Sequence, residues 1–234
     1  MTVLSVENLS AYYGAARILF DVSLTVEKGE VVALMGRNGA GKSTTLKSIN
    51  NLVRSTGQVS FNGTEISALP AFEIARLGLG YVPEERRIFT DLSVFENLEV
   101  GRQPAPSDAN AWTPERLFEI FPNLAEMRNR RASAMSGGEQ QMLSIARTLM
   151  GNPTAILLDE PSEGLAPVIV EKMASVIDQL KGEGLSVLLS EQNLYFARAV
   201  SDRAYVIEGG HIRYDGTMAE LESNEEVKAN YLSV

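Results

Sequence analysis

The part of the sequence that most restricts the possible folds is a glycine-rich stretch between residues 31 and 44, VVALMGRNGAGKST. The apolar run VVALM predicts a strand. The residues that follow fit the pattern G-x-x-x-x-G-K-[ST], with Gly36, Gly41, Lys42 and Ser43 at its defined positions. The next residues, TTLKSINNL, are compatible with a helix. A strand, a glycine-rich loop and a helix in this order predict a phosphate-binding loop in an α/β protein.

Each residue type in this loop has a physical role. Glycines allow the backbone to wrap closely around phosphate groups, and the loop amides together with the N-terminus of the helix supply positive potential. Lys42 adds a mobile charge for the β- and γ-phosphate oxygens, and Ser43 is the candidate ligand of a Mg²⁺ ion. The pattern predicts a nucleotide site. It does not distinguish kinases, GTPases, helicases and transport ATPases, which all use it.

Composition excludes several other classes of function. The chain of 234 residues has no cysteine, which excludes thiolate catalysis and thiolate metal sites, and its only histidine is His211. A formal net charge of −9 disfavours binding to nucleic acid, because the protein surface repels phosphate groups. We find neither the pattern of a secretory signal peptide nor an apolar run of about 18 residues, and therefore expect a soluble protein of the cytoplasm.

Apolar patterning predicts the core. Four apolar runs that contain β-branched residues predict strands buried on both faces, as in a parallel sheet: VVALM, AILLD, SVLLS and AYVIE, at residues 31–35, 155–159, 186–190 and 204–208. Short alternating segments with glycine turns in the N-terminal third predict an antiparallel sheet beside it. A helix over residues 168–181 is predicted to turn an apolar stripe to the core, formed by Ile169, Met173, Val176, Ile177 and Leu180.

The strand pattern stops between residues 84 and 150. Helical spacing in TPERLFEIFPNLAEMRNRR and GGEQQMLSIARTLMG predicts a helical lobe there, with a loop over residues 103–114. We therefore predict one α/β domain over residues 1–234. Residues 1–83 and 151–234 would form a P-loop NTPase core with a mostly parallel sheet and an N-terminal antiparallel subdomain, and residues 84–150 the inserted lobe.

An acidic pair ends one of the predicted strands, in the sequence AILLDEP. Asp159 at the strand end is placed to reach a Mg²⁺ ion, and Glu160 is the candidate group that polarises an attacking water. Two adjacent carboxylates beside a phosphate-binding loop predict hydrolysis and not binding alone. The alternative is an acidic pair that only terminates a strand at the surface.

A second turn, made of Ser136, Gly137 and Gly138, precedes the predicted helix EQQMLSIARTL. Its free amides at a helix N-terminus suit an anion. Because the turn belongs to the helical lobe, we predict that it contacts the γ-phosphate of a nucleotide bound by a different subunit. The alternative is an ordinary N-capped helix start.

The segments GRNGAGKST, MSGGEQQ, LLDEP and SEGLAP, in this order and over nearly the whole chain, resemble the ATP-binding subunits of ABC transporters. The resemblance implies a head-to-tail dimer with two ATP molecules at its interface, each contacted by the serine-glycine turn of the opposite subunit. It implies that Asp159 binds on the Mg²⁺ side and that Glu160 is the catalytic base. The nucleotide-binding positions of the first loop would be Gly36, Arg37, Asn38, Gly39, Ala40, Gly41, Lys42, Ser43 and Thr44.

One aromatic residue near the N-terminus is also assigned by the resemblance. Tyr13, just before Gly14, matches the aromatic residue that stacks on adenine. Tyr12 is a rival for this role, and either tyrosine could instead pack against a neighbouring strand.

The chain departs from the usual family pattern at three places. Glu84 in GYVPEERRIF stands where most members have glutamine, and Gln192 in LLSEQN stands where they have the switch-loop histidine. The usual aspartate after the acidic pair is not evident in SEGLAP. The Gln192 amide can hydrogen-bond a γ-phosphate or a water but cannot become cationic, so we expect slower or differently gated hydrolysis at this site.

These departures together resemble one branch of the family, the LivF type of branched-chain amino acid importers. Importers of urea and short-chain amides belong to the same branch. The predicted function is ATP hydrolysis that drives import through two membrane permease subunits, supplied indirectly by a solute-binding protein. ATP and Mg²⁺ are the predicted cofactors, the location is the cytoplasmic face of the cell membrane, and the helical lobe with the Glu84 loop should face the permease.

Several alternatives remain open from the sequence. The second ATPase subunit is either another copy or an unlike chain, and an unlike chain could supply the missing histidine. A non-transport ABC ATPase is disfavoured because the chain carries one cassette, has no long heptad segment and is acidic. A small-molecule kinase would not need the segment MSGGEQQ.

Overall fold

The structure is a computed structural model that describes residues 1–105 and 111–232. Part of the predicted loop over residues 103–114 therefore lies outside the described residues. The described chain comprises an antiparallel sheet, a mostly parallel sheet and a helical lobe, which confirms the predicted fold class. None of the described helices is long and apolar enough to cross a membrane.

The N-terminal sheet is antiparallel, as predicted. Its strands are, in spatial order, β2 (Ala16–Glu27), β1 (Thr2–Tyr13), β4 (Arg54–Phe61) and β5 (Thr64–Glu65). Buried and more exposed positions alternate over residues 22–27 of β2, so one face of this strand is buried. Strand β1 contains runs of consecutive buried residues, and its pairing with β2 shifts register at several places. The hairpin between β1 and β2 places Tyr13 opposite Ala16.

The second sheet contains all four strands predicted from apolar runs. Its spatial order is β10 (His211–Thr217), β9 (Arg203–Glu208), β3 (Val31–Met35), β8 (Ser186–Glu191), β7 (Ala155–Asp159) and β6 (Leu79–Val82). All neighbours are parallel except β10, which pairs antiparallel with β9. The two edge strands, β6 and β10, had not been predicted, because a four-residue run with an internal glycine and a largely polar edge strand carry weak patterns.

The helices begin and end as follows: α1 (Lys42–Ile49), α2 (Ala71–Arg76), α3 (Val94–Gly101), α4 (Pro114–Ile120), α5 (Pro122–Glu126), α6 (Gly137–Leu149), α7 (Pro167–Gly182), α8 (Leu194–Val200), α9 (Met218–Ser223) and α10 (Glu225–Val227). A 3₁₀ turn covers Ala132–Ala134 and a π-helical turn covers Lys228–Leu232. In the described part of residues 84–150 the chain forms α3 to α6 and contributes no strand to either sheet.

Strand β3 divides two hydrophobic cores. Its residues Val31, Ala33 and Met35 pack with the helical lobe and α7, whereas Val32 and Leu34 pack with α1 and the antiparallel sheet. The lobe helix α6 therefore shares a core with the central strand. The predicted phosphate-binding loop that follows β3 is supported from both sides of the sheet.

The buried stripe of α7 differs from the prediction at one of its five positions. Val170, and not Ile169, is buried together with the other four predicted positions. Ile169 is half-buried and lies against Gly138, at the start of α6, where an added Cβ would be 2.8 Å from its Cγ2 atom. The helix thus packs against the serine-glycine turn as well as the core.

Candidate nucleotide-binding and hydrolysis site

The predicted phosphate-binding loop connects β3 to α1 at the carboxyl end of the parallel sheet. Gly39 and Gly41 have φ angles of 79° and 115°, which residues with a Cβ atom rarely adopt. A Cβ on Gly36 would lie 2.4 Å from the Ile207 carbonyl oxygen, so only glycine fits there. The glycines are required by the backbone path, as the sequence pattern implies.

Lys42 occupies the inside of this loop. Its Nζ atom donates to the carbonyl oxygens of Gly36, at 2.8 Å, and Arg37, at 3.1 Å. It also forms an ion pair with Glu160 Oε1 at 3.0 Å, and the two side chains are only 3% and 7% exposed. The lysine charge is therefore balanced by a carboxylate in the place where anionic phosphates would bind.

The predicted Mg²⁺ ligands lie together. Ser43 Oγ donates to Asp159 Oδ1 at 2.8 Å, and the Asp159 side chain is fully buried. Ser190 Oγ donates to the same oxygen at 2.7 Å, and the Tyr81 hydroxyl donates to Oδ2 at 3.2 Å. One hydroxyl and one carboxylate fit Mg²⁺, which prefers oxygen ligands and retains waters and phosphate oxygens in its other positions.

Two residues of this cluster, Tyr81 and Ser190, belong to no motif that the sequence shows. Tyr81 is the third of the four residues of the edge strand β6, and Ser190 lies near the end of β8, so only the pairing of the strands brings them to Asp159. Burial and the neighbouring Asp159 carboxylate raise the pKa of the Tyr81 hydroxyl, which keeps it a hydrogen-bond donor. Both hydroxyls hold the carboxylate in one orientation.

Glu160 has an unusual backbone for a non-glycine residue, with φ at 47°. Its amide donates to the Ser190 carbonyl oxygen at 3.2 Å and to the Ser190 hydroxyl oxygen at 3.0 Å, and these bonds hold the strained residue in place. The second carboxylate oxygen, Oε2, is buried and has no hydrogen-bond partner among the described residues. That oxygen is available to accept a proton or a hydrogen bond from a water.

A further carboxylate faces Glu160. Glu163 can hydrogen-bond Glu160 only when it is protonated, and this bond, followed by burial, raises the pKa of Glu163 to about 7. Burial and the charges of Glu160 and Asp159 also raise the pKa of Glu84, which lies in the segment after β6. The Glu84 position therefore lies within electrostatic range of the acidic pair.

The Gln192 position shares a cleft with Glu160. The exposed Gln192 lines a cleft of about 430 Å³ together with Glu160, Glu163 and Glu191. The buried Glu191 carboxylate accepts hydrogen bonds from the Ser162 amide at 3.0 Å and the Asn193 amide at 3.2 Å, and burial raises its pKa. Glu191, which had also been missed, thus fixes the chain on both sides of the cleft. The roles of Gln192 and Glu84 toward a nucleotide stay predictions.

Tyr13 is better placed than Tyr12 to stack on a base. It is the last residue of β1, its side chain is 50% exposed, and Gly14 turns the chain away after it. The Tyr12 ring instead lies under the Arg54 guanidinium, 5.6 Å from its centre. Adenine stacking on Tyr13 stays a prediction that this exposure favours.

The serine-glycine turn forms the N-terminus of α6 and is an N-capped helix start, which was the alternative interpretation from the sequence. Contact of the turn with a nucleotide bound by another subunit stays a prediction. Ser136 caps the helix: its hydroxyl accepts the Glu139 amide at 3.4 Å, and its own amide donates to the Glu139 carboxylate at 2.7 Å. The amides of Ser136 and Glu139 are therefore bonded within the turn, although the sequence predicted a set of free amides there. The Gly137 and Gly138 amides have no hydrogen-bond partner within the described part of the chain, and Ser136 is exposed.

Residues 19–163 match the model of the ABC transporter family. The protein BraG of Pseudomonas aeruginosa, named as a high-affinity branched-chain amino acid transport ATP-binding protein, is 45% identical over 98% of this chain and 99% of its own. The lipopolysaccharide export ATP-binding protein LptB of Haemophilus influenzae is 39% identical over 99% and 98%. A probable LivF of Archaeoglobus fulgidus is 37% identical over 93% of both chains.

The fold of the chain is also similar to solved structures of ATP-binding cassettes. The ATP-binding cassette MJ1267 in its ADP conformation superposes with a TM-score of 0.83, at 28% identity, over 98% of both chains. The cassette MJ0796, described as a dimer bound to ADP and Pi, superposes with a TM-score of 0.77, at 26% identity, over 92% of this chain and 98% of its own. The chain therefore belongs to the ABC transporter family and is one of its ATP-binding, ATP-hydrolysing subunits.

Proposed function

We propose that this subunit couples ATP hydrolysis to solute import, with branched-chain amino acids as the cargo. The observation that carries the proposal is the 45% identity to BraG over nearly the full length of both chains, against 39% to LptB. The LivF relative is named for the same cargo. Urea and short-chain amides are the alternative cargoes, because their importers share the sequence features of this branch.

In the proposed reaction, the ATP phosphates enter the loop and replace the Glu160 carboxylate beside Lys42. The released carboxylate accepts a proton from the attacking water, and the Gln192 amide orients that water or the γ-phosphate. A Mg²⁺ ion held by Ser43 and Asp159 would neutralise charge on the phosphates. The loop amides and Lys42 bind the phosphate oxygens from the opposite side.

We place the other face of the γ-phosphate against the turn of Ser136, Gly137 and Gly138 from a second ABC ATPase subunit. The exposed Ser136 and the two glycine amides support this placement. The simplest arrangement is a head-to-tail pair of two copies. ATP then joins the subunits and hydrolysis lets them separate, so that chemical energy becomes a change in the population of the closed pair.

Two membrane permease subunits are the proposed partners, and a cleft between the core and the helical lobe supports their docking. The cleft measures about 450 Å³ and lies beside β6, α2, α3 and α6. Four large apolar side chains at the cleft, between 48 and 57% exposed, are those of Leu52, Phe72, Phe89 and Val100. Such a patch suits a short apolar segment of a permease at the cytoplasmic face of the membrane.

Deletion of the gene, followed by uptake assays, tests the cargo. We expect loss of labelled leucine, isoleucine and valine uptake, restored by the wild-type chain and not by Glu160→Gln. Loss of urea uptake with normal leucine uptake would identify the alternative cargo and contradict the proposal. Phe72→Asp should abolish capture of the subunit by its permeases, whereas Leu77→Asp, an exposed leucine that does not line the cleft, should not.

A second candidate is lipopolysaccharide export. The 39% identity to LptB over nearly the whole chain favours it specifically. The same deletion strain distinguishes the two, because an export defect would deplete lipopolysaccharide from the outer surface and leave amino-acid uptake intact.

A further inference from the structure

The segment over residues 83–87, which follows β6, is attached to helix α6 through its backbone. Ser144 Oγ donates to the Arg86 carbonyl oxygen at 2.6 Å. The Arg147 guanidinium donates to the Arg87 carbonyl oxygen at 2.8 Å and to that of Arg86 at 3.3 Å. Ser144 and Arg147 are one helical turn apart and therefore present their side chains to the same segment.

These hydrogen bonds hold an unfavourable backbone. Arg86 and Arg87 have φ angles of 62° and 47°, in the left-handed region that residues with a Cβ seldom enter. Two consecutive residues in this region persist only where the surroundings impose them, and such strain concentrates at functional sites. The strained turn determines where the two arginine side chains point.

The Arg86 side chain lies against the serine-glycine turn. A Cβ added to Gly137 would be 2.8 Å from Arg86 Nη1 and 3.4 Å from Cζ, so the guanidinium fills the space beside this glycine. In the described part of the chain no carboxylate lies within 4 Å of the Arg86 guanidinium. The exposed neighbour Arg87, in contrast, has Glu85 at 3.6 Å.

A cation beside the first residue of a helix is electrostatically unfavourable, because the helix dipole places positive potential there. When an anion binds between them, the guanidinium and the free amides attract the same group, and the arrangement becomes electrostatically favourable. We propose that Arg86 is a nucleotide-binding residue that acts across the dimer: its guanidinium joins the Gly137 and Gly138 amides on the γ-phosphate of the ATP bound by the other subunit. This inference rests on the proposed function, which places that phosphate at the turn.

Arg86 would also compensate for the cationic side chain that is missing at the switch position. Gln192 leaves each nucleotide without a cationic side chain at the switch position, and Lys42 lies inside the phosphate-binding loop of the same subunit. Arg86 of the opposite subunit supplies a second, permanently charged group with a planar fork of donors suited to phosphate. That charge stabilises the negative charge on the γ-phosphate in the closed pair.

The test uses the hydrolysis-deficient Glu160→Gln chain and measures its ATP-dependent dimerisation by analytical ultracentrifugation. Arg86→Gln in this background should weaken dimerisation at least about tenfold, the loss expected for charge-assisted hydrogen bonds. Arg86→Lys should recover part of it. Arg87→Gln is the matched control, with the same substitution in the same backbone conformation, and should stay within about twofold of the parent. The melting temperature without nucleotide should not fall in any of the three, and the ATP affinity of the monomer should be unchanged.

The outcomes separate the two proposals. If Glu160→Gln itself stays monomeric with saturating ATP, the sandwich between two copies is wrong and the Arg86 inference falls with it. If Glu160→Gln dimerises and Arg86→Gln dimerises equally well, only the Arg86 inference is wrong. A lower melting temperature in Arg86→Gln, without recovery of dimerisation by Arg86→Lys, would assign Arg86 a purely structural role and also overturn the inference.

Discussion

The buried ion pair between Lys42 and Glu160 makes a sharp prediction for Glu160→Gln in the absence of nucleotide. At 3.0 Å and an effective dielectric constant of about 20, the Coulomb attraction is roughly 5 kcal/mol, part of which is cancelled by the cost of burying two charges. Glutamine keeps an acceptor for the ammonium group, and a hydrogen bond to a charged group contributes about 1.5 to 3 kcal/mol. We therefore expect a net loss of about 2 kcal/mol, or roughly 4 to 8 °C in melting temperature.

The same pair competes with ATP, because the phosphates must displace Glu160 from Lys42. In Glu160→Gln the ion pair is absent, so ATP no longer has to displace a carboxylate from Lys42. The free energy of ATP binding should therefore become more favourable by the same amount, about 2 kcal/mol, which is roughly thirtyfold in affinity. Titration calorimetry in EDTA, which stops hydrolysis in both proteins, measures the affinity, and differential scanning calorimetry without nucleotide measures the stability. ATP should thus bring both proteins to similar melting temperatures.

Glu171→Gln is the control, since Glu171 is an exposed carboxylate lining the same cleft. It should change neither quantity, because an exposed charge contributes little. Equal ATP affinity of Glu160→Gln and the wild type, together with the expected loss of stability, would refute the reasoning. The ion pair would then be structural and would not occupy the phosphate position.

Three further predictions concern single side chains. Gly36→Ala should lower ATP affinity at least about tenfold in the same calorimetric titration, because its Cβ would lie 2.4 Å from a backbone carbonyl oxygen. The control Gly182→Ala should bind ATP normally, because a Cβ at Gly182 has no atom within 4 Å. Glu163→Gln should raise the melting temperature at pH 8 and not at pH 4.5. The pKa of Glu163 is about 7 in the folded protein and 4.5 ordinarily, so the folded state holds this proton more tightly. The folded protein therefore loses stability as pH rises from 4.5 to about 7, and glutamine avoids this loss. Since Glu163 is largely exposed, the gain should be at most about 1 kcal/mol, and an equal effect at both pH values would contradict the assignment. Tyr13→Ala should weaken ATP binding several-fold and Tyr12→Ala should not, measured by the same titration; the reverse result would assign the stacking role to Tyr12.

Local patterns in the sequence were sufficient for the features that a short stretch of chain determines by itself. The glycine positions of the phosphate-binding loop follow from the backbone path between one strand and one helix, so Gly36, Gly41 and Lys42 could be assigned before any tertiary contact was known. The four buried strands followed from apolar runs for the same reason. Asp159 and Glu160 could be assigned because they are the end of such a run.

Contacts between distant segments could not be predicted in this way. Ser190 and Tyr81 reach Asp159 only because β8 and β6 flank β7, and strand order has no periodic signal in the sequence. The position of Arg86 on Gly137 depends on a left-handed turn that hydrogen bonds from α6 impose.

The sequence alone therefore determined the position of the glycine-rich loop and of the acidic strand end, since both depend on adjacent residues and local backbone geometry. Only the tertiary structure decided which charges meet. It paired Lys42 with Glu160 and placed Val170 instead of Ile169 in the core, because strand pairing and side-chain packing join residues that are far apart along the chain.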